Sequence, residues 1–117
     1  MTLKEFERTV NSAANRIPKR FKTILKKEGI RLLAREKVPH PARGRMLIFG
    51  MFIGVPYTER SVFGMPSEPT RIELYKESFE KAFEDRDEMA SQIALTVIHE
   101  IGHYFGFSEK ELRKQLE

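Results

Sequence analysis

The residues of this chain best suited to chemistry are His99, Glu100 and His103, set as His-Glu-Ile-Gly-His within the apolar run of residues 96–107. If that run is helical, residues four apart stand one above the other, about 6 Å apart. His99 and His103 can then offer two ring nitrogens to one ion, and neutral imidazoles suit Zn2+. Glu100 projects to a neighbouring face. It is badly placed as a third helical ligand, but it can take a proton from a water beside the ion and later deliver it to a leaving amine. Gly106 follows, and a glycine can end a helix with positive φ and turn the chain sharply. Such a turn would bring Glu109 back under the ion as a carboxylate ligand. Two histidines and one carboxylate leave a fourth zinc position open, which catalysis requires.

Plainer readings compete with these. Two histidines at helical spacing can be a packed pair or a solvated face. Ser108 and Glu111 form a capping-box pattern, so Glu109 also suits a first helical turn, where the dipole favours an acid. The two roles of Glu109 are compatible. The third histidine, His40, lies between Pro39 and Pro41 and reads as an exposed, inert residue.

Composition narrows the chemistry. The 117 residues fit a single domain, 1–117, with a modest core. Apolar content of 40% and charged content of 32% are ordinary for a globular protein. Cysteine is absent, which removes disulfides, thiolate nucleophiles and thiolate ligands and leaves histidine and carboxylate as the strong donors. No run approaches the roughly 20 apolar residues of a membrane span. The first residues are amphipathic and of mixed charge rather than signal-like, so a cytoplasmic location is expected. The net charge of +4 is uneven: residues 1–50 carry 13 Lys and Arg against 4 Asp and Glu, whereas residues 51–117 carry 8 against 13. A basic half can attract nucleic acid. No aromatic-interleaved basic motif accompanies the charge, so it reads as a lysine- and arginine-rich surface, and nucleic acid is not the expected partner.

The elements that must position the motif follow from periodicity. Residues 2–16 read as an amphipathic helix with Leu3, Phe6, Val10, Ala13, Ala14 and Ile17 at three- and four-residue steps. Thr2 and Glu5 supply its capping box. Pro18 opens a second helix, 18–28, which Gly29 ends. Residues 30–34 are a strand candidate and 36–45 a loop. The most apolar stretch, 46–56, reads as a buried strand in which Gly50 or Gly54 marks a bulge or a close approach. Residues 57–70 form a second loop that could line a cleft. Arg71-Ile72-Glu73-Leu74-Tyr75 alternates as a half-buried strand does, and an exposed edge there could pair with an extended peptide. A helical piece spans 78–83. The long helix starts near Asp87, with Met89, Ile93, Val97, Ile101 and Tyr104 as its apolar stripe and Gln92, Thr96, His99 and His103 on another face. Residues 108–116 read as a final short helix.

These residues together resemble a known family, the small bacterial and archaeal zincin-like metallopeptidases. The likeness rests on the opening helix ending in Ile17-Pro18, on Phe49-Gly50-x-Phe52-x-Gly54-Val55-Pro56, on Arg71-Ile72-x-Leu74-Tyr75, and most specifically on Thr96-Val97-Ile98-His99-Glu100-Ile101-Gly102-His103-x-Phe105-Gly106. The spacing through Glu109 is that of metzincins, with glutamate where histidine normally stands. The family commonly has a further histidine directly after the motif, where this chain has Tyr104. With its end so soon after Glu109, the chain is expected to lack a Met-turn.

The resemblance implies an α+β zincin-like fold in which a small mixed β-sheet packs against the active-site helix and the N-terminal helices. It implies zinc on His99, His103 and Glu109, Glu100 as general base, and a peptide or protein as substrate. Tyr104, Tyr75 and Arg71 are candidates to steady the oxyanion. The alternative is a zinc-binding regulatory or interaction module without proteolytic activity.

Overall fold

The computed structural model describes residues 1–39, 47–54, 70–106, 108 and 110. Among them are four helices and three strands in the order α1 (Leu3–Arg16), α2 (Lys19–Lys27), β1 (Arg31–Arg35), β2 (Gly50–Ile53), β3 (Arg71–Tyr75), α3 (Lys76–Ala82) and α4 (Arg86–Phe105). The class is α+β, as the sequence implies.

Local chemistry sets the helix ends. Thr2 and Glu5 close the capping box at the start of α1, each side chain answering the other's main-chain N–H. Pro18 stands at the N-cap of α2, just ahead of the first turn where the sequence placed it. The far end of α2 is a Schellman turn. Gly29 has φ +66°, its N–H reaches Lys26 O, and Ile30 N–H reaches Leu25 O at 2.8 Å. Leu25 and Ile30 are both in the core, so the turn delivers the chain into β1 with its exit angle fixed.

The sheet is mixed, with strand order β1-β3-β2. β3 runs parallel to β1 and antiparallel to β2. Residues 71–75 are therefore the central strand, buried on both faces, and not the half-buried edge that their alternation suggests. The peptide-pairing role expected of that edge is ruled out for β3, because its main-chain groups are taken by neighbours on both sides. The apolar stretch beginning at residue 46 contributes only the short β2, half-buried at the side of the sheet, and its expected extension to 56 lies partly outside the described residues.

Register sorts the side chains. Ile72 and Leu74, with Phe52 and Leu32 beside them, point to one face. That face joins Phe6, Val10 and Ala13 of α1 and Met89, Ile93, Val97, Ile98 and Ile101 of α4 in one core. Phe79 of α3 sits at its corner, with ring centroids 5.8 Å from Phe6 and 5.0 Å from Phe49. The opposite face carries Arg71, Glu73 and Tyr75. Glu73 is only 5% exposed, yet it accepts from Arg35 Nε at 3.2 Å, Arg71 Nε at 3.1 Å and the Tyr75 hydroxyl at 3.1 Å. A buried carboxylate needs such partners. Burial alone would push Glu73 up, but the hydrogen bonds from Arg71, Tyr75 and Arg35 together outweigh it and hold the carboxyl below its ordinary range.

Candidate active site

The motif rides on α4, a 20-residue helix. Asp85 caps its start by accepting from Asp87 N–H at 3.2 Å, and Asp87 and Glu88 lie in the first turn. Gly106 closes it in the left-handed region, φ 72° and ψ 24°, with its N–H on the last-turn carbonyls. The glycine stop expected from the sequence is thus where it should be. The described apolar stripe is also as expected: Met89, Ile93, Val97 and Ile101 are buried, and Ala90 and Ile98 widen it. These contacts fix the rotation of the helix and turn Thr96, His99, Glu100 and His103 away from the core.

His99 Nδ1 lies 3.1 Å from Leu95 O, one turn back. A carbonyl only accepts, so this contact suits the tautomer with the proton on Nδ1, which is the one that presents Nε2 to a metal. His103 is the exposed member, with 60% of its side chain accessible, and its Nδ1 is 3.7 Å from Glu100 Oε2. Glu100 is half-buried between the helix and the sheet. Burial pushes its carboxyl above the ordinary range, against the opposing pull of His103, of the Phe52 main-chain N–H and of His99.

That hydrogen bond from Phe52 ties the motif to β2. Tyr75 N–H donates to Phe49 O at 3.0 Å, so the odd-numbered residues of β2 turn their main-chain groups toward β3 and Phe52 turns its N–H outward. The outward N–H meets the Glu100 carboxylate. Gly50 permits the approach. A Cβ there would stand 3.0 Å from both Glu73 O and Thr96 Cγ2 and 3.1 Å from Leu74 Cδ2. The close approach expected at Gly50 or Gly54 occurs at both: a Cβ on Gly54 would stand 3.0 Å from Thr70 Oγ1, and its φ of +138° adds a backbone reason for glycine. The part played by Phe52 has no side-chain signature, and nothing in the sequence beyond the neighbouring glycines points to it.

The other expected residues are not gathered here. Arg71 and Tyr75 are held by Glu73 on the far face of the sheet, so neither is placed to steady an oxyanion at α4. The side chain of Tyr104, and Glu109, His40, residues 57–69 and most of the final helix, lie outside the described residues. Among the described residues no group of three His, Asp or Glu side chains suited to a metal is present. His99 and His103 are the two imidazoles that could serve one ion.

Fold and motif together define a class, a helix-borne His-Glu-x-x-His seated beside a small mixed sheet. Residues 31–116 match the zincin-like metallopeptidase family, and the chain belongs to that family. None of the curated proteins matches the chain. Among the described residues no helix is long and apolar enough to cross a membrane.

Proposed function

We propose that this chain is a zinc-dependent peptidase in which His99 and His103 are ligands, Glu109 is the third ligand and Glu100 is the general base. The observation that carries the reading is the placement of the motif. Both histidines and the glutamate project from one buried helix, and the glutamate lies against the main chain of β2. The donor set fits the ion: two imidazoles stand one turn apart, and the contact of His99 Nδ1 with Leu95 O favours the tautomer that presents Nε2.

When bound, the ion would polarise the scissile carbonyl and acidify the attacking water. Glu100 takes the proton of that water and passes it to the leaving amine. A half-buried carboxylate whose affinity for protons is raised suits both transfers. The Phe52 N–H holds the carboxylate in place while it works. Among the described strands β2, not β3, has an outer main-chain edge beside α4, and its Phe52 N–H is already engaged by Glu100.

The test is metal analysis paired with turnover on a peptide panel. Glu100→Gln should keep stoichiometric zinc and lose turnover by at least about 100-fold. His99→Ala should lose the metal and the activity together. Wild-type protein that holds zinc but cleaves nothing would support the non-proteolytic zinc module instead. Wild-type zinc content and turnover in both variants would end the proposal.

A further inference from the structure

Among the described residues some cations are paired with carboxylates and others are not, and the densest unpaired run lies in and around α2. Arg35, Arg71, Lys76, Lys81 and Arg86 each hold a carboxylate. The cations of residues 16–31 do not. Lys19, Arg20, Lys22, Lys26 and Lys27 of α2 are all exposed, and so are Arg16 before the helix and Arg31 after it. Among the described residues no ion pair involves any of these seven. The single acid in the segment is Glu28.

The helix arranges these charges on one side. At 100° per residue, Lys22, Lys26, Lys19, Thr23, Lys27 and Arg20 occupy an arc of about 160°. Phe21 and Leu25 fill the other side and are buried, with Ile24 packed beside them. The apolar face of α2 is thus consumed by the core, and the Schellman turn at Gly29 fixes the end of the helix. The cations stand on a rigid support; Arg20 lies over the Phe21 ring at 5.8 Å, and the lysines of the row make no ion pair among the described residues.

We propose that the outer face of α2 binds the phosphate backbone of nucleic acid without regard to base sequence. Lys19, Lys22 and Lys26 climb the helix in steps of about 4.5 and 6 Å, a row of positive charge that can follow the row of phosphates on a strand. An anionic bilayer is the poorer match, because helices that lie on membranes bury an apolar face in the lipid. Here that face is inside the protein, and the large apolar residues exposed among the described ones are Leu3, Leu47 and Leu95, none of them on α2. The lack of exposed aromatic side chains on the helix limits base stacking and leaves phosphate contact as the mode of binding.

The experiment is fluorescence anisotropy of the full chain with a labelled mixed-sequence DNA duplex of about 20 base pairs, titrated between about 50 and 200 mM salt. Three to five phosphate contacts predict a log–log slope of about −2.7 to −4.5, a loss of affinity of roughly 40- to 500-fold over that range. K19E/K22E/K26E should abolish binding. K19Q/K22Q/K26Q, the milder change, should keep the helical circular dichroism and the zinc content of the wild type while flattening the slope by about 2.7. Absence of duplex binding at the lowest salt would overturn the proposal. So would an unchanged slope in the glutamine variant, or tighter binding to phosphatidylserine vesicles than to duplex at equal salt.

Discussion

The two ends of α4 are built for different purposes. From Arg86 to Ile98 the helix is an anchor, capped by Asp85, paired through Arg86 with Glu5 of α1 at 2.7 Å, and buried along Met89, Ile93 and Val97. From His99 onward it is a mount for polar side chains, and the side chain of His103 is mostly in solvent. Only Ile101 continues the fully buried stripe among the described residues of this end. One rod therefore separates stability from chemistry along its length. Substitutions near the start should change unfolding and spare the site; substitutions near the end should do the reverse.

The largest effect is expected at the centre of the anchor. Ile93 is fully buried among α1, β3 and α4 side chains. Ile93→Ala should lower unfolding stability by about 2–5 kcal/mol in a urea titration. His103→Ala, nearly three turns further on, should change stability of the metal-free chain by less than about 0.5 kcal/mol. Equal losses in the two variants would show that the ends of α4 are not separable.

Next in size is the polar face of the sheet, which supports the fold and lies away from the motif. Removing the Glu73 carboxylate leaves Arg35, Arg71 and Tyr75 facing one another without their acceptor. Breaking a buried pair costs about 3–5 kcal/mol, and because Arg35 is half exposed solvent screening reduces this to about 2–3 kcal/mol for Glu73→Gln. The pH dependence has a definite sign. The folded carboxyl lies below its unfolded value of about 4.3. Its stabilisation is therefore complete above that unfolded value and is lost as pH falls through the folded one. The gap in urea midpoint between wild type and Glu73→Gln should be constant from pH 7 to about 5 and close below about 4. A gap that does not narrow at all as the pH falls below the unfolded value would show that the carboxylate charge is not what matters.

Smaller in free energy, but aimed at the junction of the two ends, is Gly50→Ala. The added methyl would press on Glu73 O, which is main chain, as well as on Thr96 Cγ2. Overpacking of this kind costs about 1–3 kcal/mol. Because it separates β2 from α4 at the Phe52–Glu100 contact, turnover should fall by more than the loss of stability explains. Compensation by Thr96→Ser, which removes the opposing methyl, would locate the strain. Normal turnover in Gly50→Ala would mean that the β2 contact does not position Glu100.

How much of this was legible in the sequence follows from what kind of signal each feature leaves. The Thr2–Glu5 box, the Gly29 and Gly106 stops and the stripe of α4 are local, and each appears where the residues imply it. The place of β3 was not legible. Arg71, Glu73 and Tyr75 alternate with Ile72 and Leu74 as an edge strand would, because periodicity records polarity and not burial. Glu73 is buried among Arg71, Tyr75 and Arg35, and the last comes to meet it from a strand 38 residues away in sequence. The motif itself stands in the sequence, and its contact at Leu95 follows from helical spacing. The Phe52 N–H does not, since a main-chain donor leaves no mark on residue type.

The smallest expected effect is the sharpest test of the separation. Asp85→Ala removes the acceptor for Asp87 N–H at the start of α4, which should cost about 1 kcal/mol. Helix caps act within the first turn, and the motif begins 13 residues beyond Arg86, about 20 Å along the axis. Hydrogen exchange should quicken at the amides of residues 87–89 and stay unchanged at 97–102, while zinc affinity and turnover remain at wild-type values. If protection near His99 fell with that of the first turn, α4 would be melting as one unit. The rigidity of the site would then be borrowed from the cap rather than supplied by Val97, Ile98 and Ile101 beneath it.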